Sequence, residues 1–492
     1  MYFKINKTLL SDSISNIKKN IFGETSIIIP IFIFIVFAYL QSIFNHLNYF
    51  SNNWDLGFHN QLMYKWANFM TPSSTLWNPT YPMNHCFGDH VTLLMPIHSH
   101  LYWIFGSSAL LVVQILYMCI GYIGMNKLVF HFTNNHLFSI SSGVLFFLHY
   151  SIWAALFFDE HDNVYGMMFL PWIFYFYYSK KFKWFAISSI LFLMGRDDLA
   201  ITGIAIGAMC LMLDYKTHLK YSVTLLSMSL SYFILCHYLI IPTLSTAPSG
   251  YAAWRFNHLG KNVPEVALYI ATNPIDFFSY FIDQPAKLEK LFYFIYTGGL
   301  LVFINWRIFA AIIPTFLITC LSDSLNLWGN WGHYNIVFAV TLPFLVCIVI
   351  HKYIASKYYV LCLILSAIIY FLALNTSRFN SMQRFSRMFN KEYYKRRANK
   401  EDIRSVLSEI PIDAAVSATN FYTPHLAFRQ KSYFFPDVKD AEYIFMNEMD
   451  TIFNCYPFKD KEEFKKVIQE YKSHEHFELI KQQNGVLLFK RK

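Results

Sequence analysis

The chain has 492 residues, of which 55% are hydrophobic, 19% aromatic and only 14% charged, and its formal net charge is +9. Soluble chains carry about 25% charged residues, so this composition excludes an ordinary soluble domain and indicates a polytopic membrane protein. The surplus of Lys and Arg points to basic loops and lipid head groups rather than to nucleic acid.

Residues 1–25 are expected to form a cytoplasmic N-terminal segment, which carries Lys4, Lys7, Lys18 and Lys19. The first apolar run, Ser26 to Phe44, has no charge. About 20 apolar residues cross a bilayer core. The run is longer than a signal-peptide core and lacks a small-residue cleavage site, so it reads as a span. A polar outer loop, 47–106, follows and contains Asn53-Trp54-Asp55-Leu56-Gly57-Phe58-His59-Asn60-Gln61. Asp55 therefore sits just beyond the mouth of a membrane helix. It is a candidate base there, or an N-cap for the run beginning at Phe58. The stretch 91–105 contains Pro96, His98 and His100, and is expected to lie along the interface because its polar groups are costly in hydrocarbon.

Apolar periodicity then predicts further spans at 107–128, 136–157, 163–179, 183–194, 198–213, 220–242, 290–304, 307–322, 334–350 and 357–375, about 11 with the first at 26–46. With the N-terminus inside, the inner turns hold Lys127, Lys180, Lys181, Lys183, Lys216, Lys220, Arg307, Lys352 and Lys357, and Asp214 as their acid. The outer turns hold Asp159-Glu160-His161-Asp162, Arg196-Asp197-Asp198 and Asp323. One register satisfies the positive-inside rule throughout, and it places the C-terminal segment outside.

From 376 the composition changes. A basic stretch (Lys391, Lys395, Arg396, Arg397, Lys400) precedes a helix-like run at 400–409. Strand-like pieces at Ala414–Ala418 and Tyr443–Met446 follow, then a charged helix at 460–473. Gln483-Asn484-Gly485 is a hairpin turn between Phe477–Lys481 and Val486–Phe489. Residues 376–492 thus read as a small extracytoplasmic α/β domain behind a membrane domain at 26–375. The eight cysteines show no metal spacing; Cys86 and Cys455 share the outer face and are a candidate disulfide pair.

The acids and histidines converge on one face. Anchoring residues would populate both faces, so the asymmetry argues for a site. Arg196 suits a phosphate, which guanidinium binds through paired hydrogen bonds, although Asp197 or Asp198 offers it a salt bridge. His161, His333, Tyr334, His90, Gln61 and Asp197 are candidate donor-phosphate or substrate contacts. Asp159 and Asp162 are candidate ligands for a divalent metal, or members of a solvated turn. No other cofactor is expected. No phosphate-binding loop, dinucleotide fingerprint or nucleophile elbow is present.

These motifs resemble the prokaryotic membrane-protein family of domain-of-unknown-function 2079. The matching stretches are Trp54–Gln61, His90 with Leu93–Ile97, Gln114, Phe158–His161, Gly195–Asp198, Gly332–Tyr334, Ile410–Ala418, Pro424–Leu426 and Arg429. The common family forms have Asp where His59 stands and Lys-Glu-Asp where Arg196-Asp197-Asp198 stand. That family is in turn similar to the GT-C membrane glycosyltransferases, such as protein O-mannosyltransferases and aminoarabinose transferases. The resemblance implies a GT-C-like helical bundle in a prokaryotic inner membrane. It also implies a polyprenyl-phosphate sugar donor, a glycan, lipid or protein acceptor, and Asp55 as the acceptor-activating base. The competing expectations are a transporter or flippase of lipid-linked sugars, and a non-catalytic membrane scaffold.

Overall fold

The computed structural model describes residues 25–77, 83–247, 254–376, 385–394, 399–452 and 455–492. The four N-terminal lysines, and Lys395, Arg396 and Arg397, lie outside the described residues.

Helix packing dominates. The first helix starts at Thr25–Ala38 and continues through a π-helical turn, Tyr39–Ile43, to Phe44–Leu47. Its Ile28, Ile29, Phe32 and Ile33 are exposed, an apolar face of the kind that meets lipid or another protein. Among the described residues, four helical stretches are long and apolar enough to cross a membrane, and six if two bent pairs each count as one span. The bent pairs are His136–Leu148 with Tyr150–Phe157, at 42°, and Leu325–Ala339 with Leu342–Tyr353, at 50°.

The 36-residue helix Leu199–Ile234 is a hairpin. Its backbone leaves helical geometry at Asp214 and His218. A Cβ on Gly207 would lie 2.8 Å from the Leu226 backbone nitrogen, and one on Gly203 would lie 2.2 Å from Ser229 Oγ. The two arms therefore run back to back, and glycine permits their close approach. These arms match the sequence-derived spans 198–213 and 220–242, with Lys216 in the turn. The run 91–105 is a broken helix, Leu94–Phe105, cut off from Ala109–Thr133 by Gly106 at φ +55°.

At the C-terminal end a five-stranded sheet has the order β2-β1-β3-β5-β4. The strands are β1 Val416–Ala418, β2 Ser432–Phe434, β3 Tyr443–Asn447, β4 Phe477–Gln483 and β5 Val486–Arg491. β1 pairs in parallel with β2 and β3, whereas β5 pairs antiparallel with β3 and β4. Alternation sends Phe445, Val486 and Leu488 to a core with Ile403 and Val406, and Ile444, Met446, Leu487 and Phe489 to another with Phe464 and Ile468. Helices Lys400–Leu407 and Lys461–Lys472 thus cover opposite faces. The hairpin turn sits at Asn484 and Gly485, both at positive φ. Cys86 and Cys455 are both free thiols.

Candidate functional site

The Asp55 loop is built on an unusual backbone. Trp54 is extended at φ −64°, ψ 132°, and Asp55 stands at φ 66°, ψ −79°. An L-residue held there stores about 1–3 kcal/mol of strain. The helix Phe58–Ala67 begins at Gly57, with no side-chain cap, so Asp55 does not cap it. Its carboxylate instead faces His161, with Oδ2 3.7 Å from Nδ1.

The turn after Tyr150–Phe157 supplies the other wall. Asp159, also at positive φ, accepts from the Asn52 backbone N–H at 2.7 Å and from its amide at 3.1 Å. Gln114 fixes the same turn by donating to the Asp159 carbonyl and accepting from the His161 N–H. Glu160 takes His59 Nδ1 at 2.7 Å and the Tyr165 hydroxyl at 2.6 Å. The His161 ring lies 3.8 Å from that of His333, which is tilted against the Tyr334 ring at 4.0 Å. His161 Nε2 and both ring nitrogens of His333 are buried without a hydrogen-bond partner. Such groups cost free energy unless something meets them.

The break between Phe182–Gly195 and Leu199–Ile234 completes the ring. Arg196 donates to both Asp198 oxygens, from Nε at 2.9 Å and Nη2 at 2.6 Å, and to Asp162 from Nη1 at 3.3 Å. Its acid partners are thus Asp198 and Asp162. Asp197 accepts from the Val91 N–H and meets His90 at 3.0 Å and His237 at 3.1 Å.

Burial separates the acids by character. Asp55 is surrounded by protein, and burial raises its carboxyl to about 7, against the pull of His59 and with the push of Glu160 and Asp162. Its side chain still keeps 29% of its surface accessible, so solvent water reaches it and moderates the desolvation. Burial likewise raises Asp159 to about 8, despite the Asn52 hydrogen bonds. Burial alone would lower His59 and His90, but Glu160 and Asp197 respectively raise each to about 9. His161 is pushed well down, by burial first and then by Arg196. The cluster therefore combines a solvent-reachable carboxylate poised near neutrality, two charged His–acid pairs and a neutral imidazole beside the carboxylate.

Asp55, His161, His333, Tyr334, Arg196, Asp162, His90 and Asp197 come together at this end of the bundle. Gln61 turns to other work: its Oε1 accepts from Ser74 and Thr75, and its Nε2 donates to Thr75. Asp159 is committed to Asn52 and Asp162 to Arg196. Among the described residues, no group of three or more His, Cys, Asp or Glu side chains is placed to hold a metal. Sequence reasoning missed His237. It sits in the apolar π-helical run Leu235–Ile240, and its one available signal is an imidazole inside an otherwise hydrophobic stretch.

A family model described as "Predicted membrane protein (DUF2079)" matches residues 45–488. The chain belongs to the DUF2079 family. Among curated proteins no relative matches it. A solved structure similar to this DUF2079 chain is ArnT from Cupriavidus metallidurans, bound to undecaprenyl phosphate. The likeness covers 94% of this chain and 97% of that one, with a TM-score of 0.52 and 9% sequence identity. It is a likeness of fold. The DUF2079 chain has a GT-C-like fold, a helical bundle with a small sheet beside it.

Proposed function

We propose that this protein is a membrane glycosyltransferase that moves a sugar from a polyprenyl-phosphate donor to an acceptor hydroxyl at the outer face of the inner membrane. The observation that carries the reading is Asp55, a strained and partly accessible carboxylate at the mouth of the first helix, in a fold like that of a protein solved with undecaprenyl phosphate. This reading puts the N-terminus inside and the sheet outside; the positive-inside rule supports it, because the turns with Lys180, Lys181, Lys216 and Lys352 lie at the far ends of helices that lead away from the Asp55 site.

In the reaction, the acceptor oxygen bonds to the anomeric carbon while Asp55 takes its proton. The bond from that carbon to the phosphate oxygen breaks, and the polyprenyl phosphate leaves as an anion. A cation beside the leaving group stabilises it. Arg196 supplies that charge, and the unpartnered nitrogens of His161 and His333 offer hydrogen bonds once a ligand enters. The acceptor is a glycan, lipid or protein hydroxyl.

Asp55→Asn keeps the size and removes the base. The purified variant is expected to bind polyprenyl-phosphate sugar like the parent and to transfer about 10²–10⁴-fold more slowly. In the source organism the readout is loss of a cell-surface glycan. Full transfer by the variant removes Asp55 from the mechanism. The buried acids and histidines of the site gather at one end of the bundle, which favours an enzyme over a transporter.

A further inference from the structure

The sheet stands apart from the site in sequence, yet the carboxyl ends of its parallel strands reach the Asp55 loop. Asn420 lies two residues beyond β1, at the carboxyl ends of the parallel strands. The chain leaves β1 for β2 on one side and returns to β3 on the other, so Asn420 sits where the strand order reverses. In open α/β sheets this is the position that presents functional side chains.

We propose that Asn420 is a positioning residue for Asp55, clamping the loop in its strained conformation through residues 52 and 53. The inference rests on the reading of Asp55 as the base. Asn420 is 3% exposed, and both of its polar atoms leave the sheet. Its Oδ1 accepts from the Asn53 N–H at 2.9 Å, and its Nδ2 donates to Asn52 Oδ1 at 2.9 Å. Asn52 in turn donates to Asp159 from its backbone and its amide. A continuous line of side chains therefore ties the sheet, the Asp55 loop and the turn that carries His161.

The loop closes on itself as well, since the Gly57 N–H donates to the Asn52 carbonyl at 3.2 Å. Gly57 backs onto Thr423: a Cβ there would lie 3.3 Å from Thr423 Oγ1. Asn60 donates to the Pro424 carbonyl at 3.1 Å. The segment 420–424 thus grips residues on both sides of Asp55. An unfavourable φ persists only where its surroundings over-determine it, and these contacts do so. They also give the Pro424-His425-Leu426 motif a task, as His425 stacks on His46 at 4.1 Å.

The test uses the full-length protein in lipid nanodiscs. Asn420→Ala removes both hydrogen bonds and leaves the Asn53 N–H unpaired; Asn420→Asp keeps the acceptor and loses the donor. A displaced base costs up to about 100-fold, so Asn420→Ala is expected to lower kcat by roughly 10- to 100-fold with an unchanged KM for polyprenyl-phosphate sugar. Asn420→Asp should fall between it and the parent. Amide exchange of residues 52–58 should quicken in Asn420→Ala while β3 and β5 stay protected. Unchanged kcat together with unchanged exchange at 52–58 overturns the proposal. Exchange that quickens equally across the sheet also overturns it, because Asn420 is then only a folding contact. If the parent transfers no sugar, the glycosyltransferase reading fails, and the exchange measurement still decides whether Asn420 clamps the loop.

Discussion

The two ends of the helical bundle use charge in opposite ways. At the lysine end, Lys181, Lys220, Lys352 and Lys357 are exposed and lie 5.7, 5.0, 5.1 and 4.9 Å from the rings of Tyr175, Phe182, Tyr353 and Tyr358. Ammonium over an aromatic ring at a lipid boundary is an anchor. The acid there, Asp214, is taken up by Arg307 and the Tyr177 hydroxyl. At the Asp55 end, Glu160 and Asp197 are fully buried and Asp162 nearly so. An end built only for anchoring needs none of this. The difference shows that burial of ionisable groups, rather than their number, marks the site.

The largest effect that sharpens this contrast is at Glu160. Removing one partner of a buried pair leaves the other charge stranded, at about 3–5 kcal/mol. Glu160→Ala should therefore lower the thermal unfolding temperature markedly, as measured in detergent. An unchanged temperature means that His59 and Glu160 are not a buried charged pair.

An intermediate effect is expected in the pH dependence of transfer. In the proposed reaction Asp55 serves as the base only when ionised, and its carboxyl is raised to about 7. The rate should climb with pH through that value, being about tenfold lower near about pH 6 than near about pH 8. An acid limb in the ordinary carboxylate range would mean that the site is wetter than its packing indicates.

The smallest effect is expected at the opposite end. Arg307 and Asp214 keep 21% and 16% of their side-chain surface, so solvent screens the pair. Arg307→Ala should cost about 1 kcal/mol and leave transfer unchanged. A loss of activity there would show that the two ends are coupled, and would break the comparison.

Local patterns made much of this legible from sequence. The turn lysines and apolar runs located the 199–244 hairpin arms, and Asn484-Gly485 announced its turn. Asp55 was marked by its polar surroundings after a charge-free span. The partners were not legible. Nothing near His59 names Glu160, because pairing depends on how distant helices dock. Strand β2 is three residues long, too short for a period of two to register. Asn420 looks like any loop asparagine until β1 and β3 are seen side by side.

The bond from Asn53 to Asn420 joins residues 367 positions apart. Translation proceeds at about 5–20 residues per second, so the ribosome completes the second partner roughly 20–70 seconds after the first. Throughout that interval the first helix can already be inserted, with its carboxylate loop beside the lipid but ungripped. The last part of the protein to be made therefore shapes the first, and a truncated or stalled product carries Asp55 without the contacts that hold its loop.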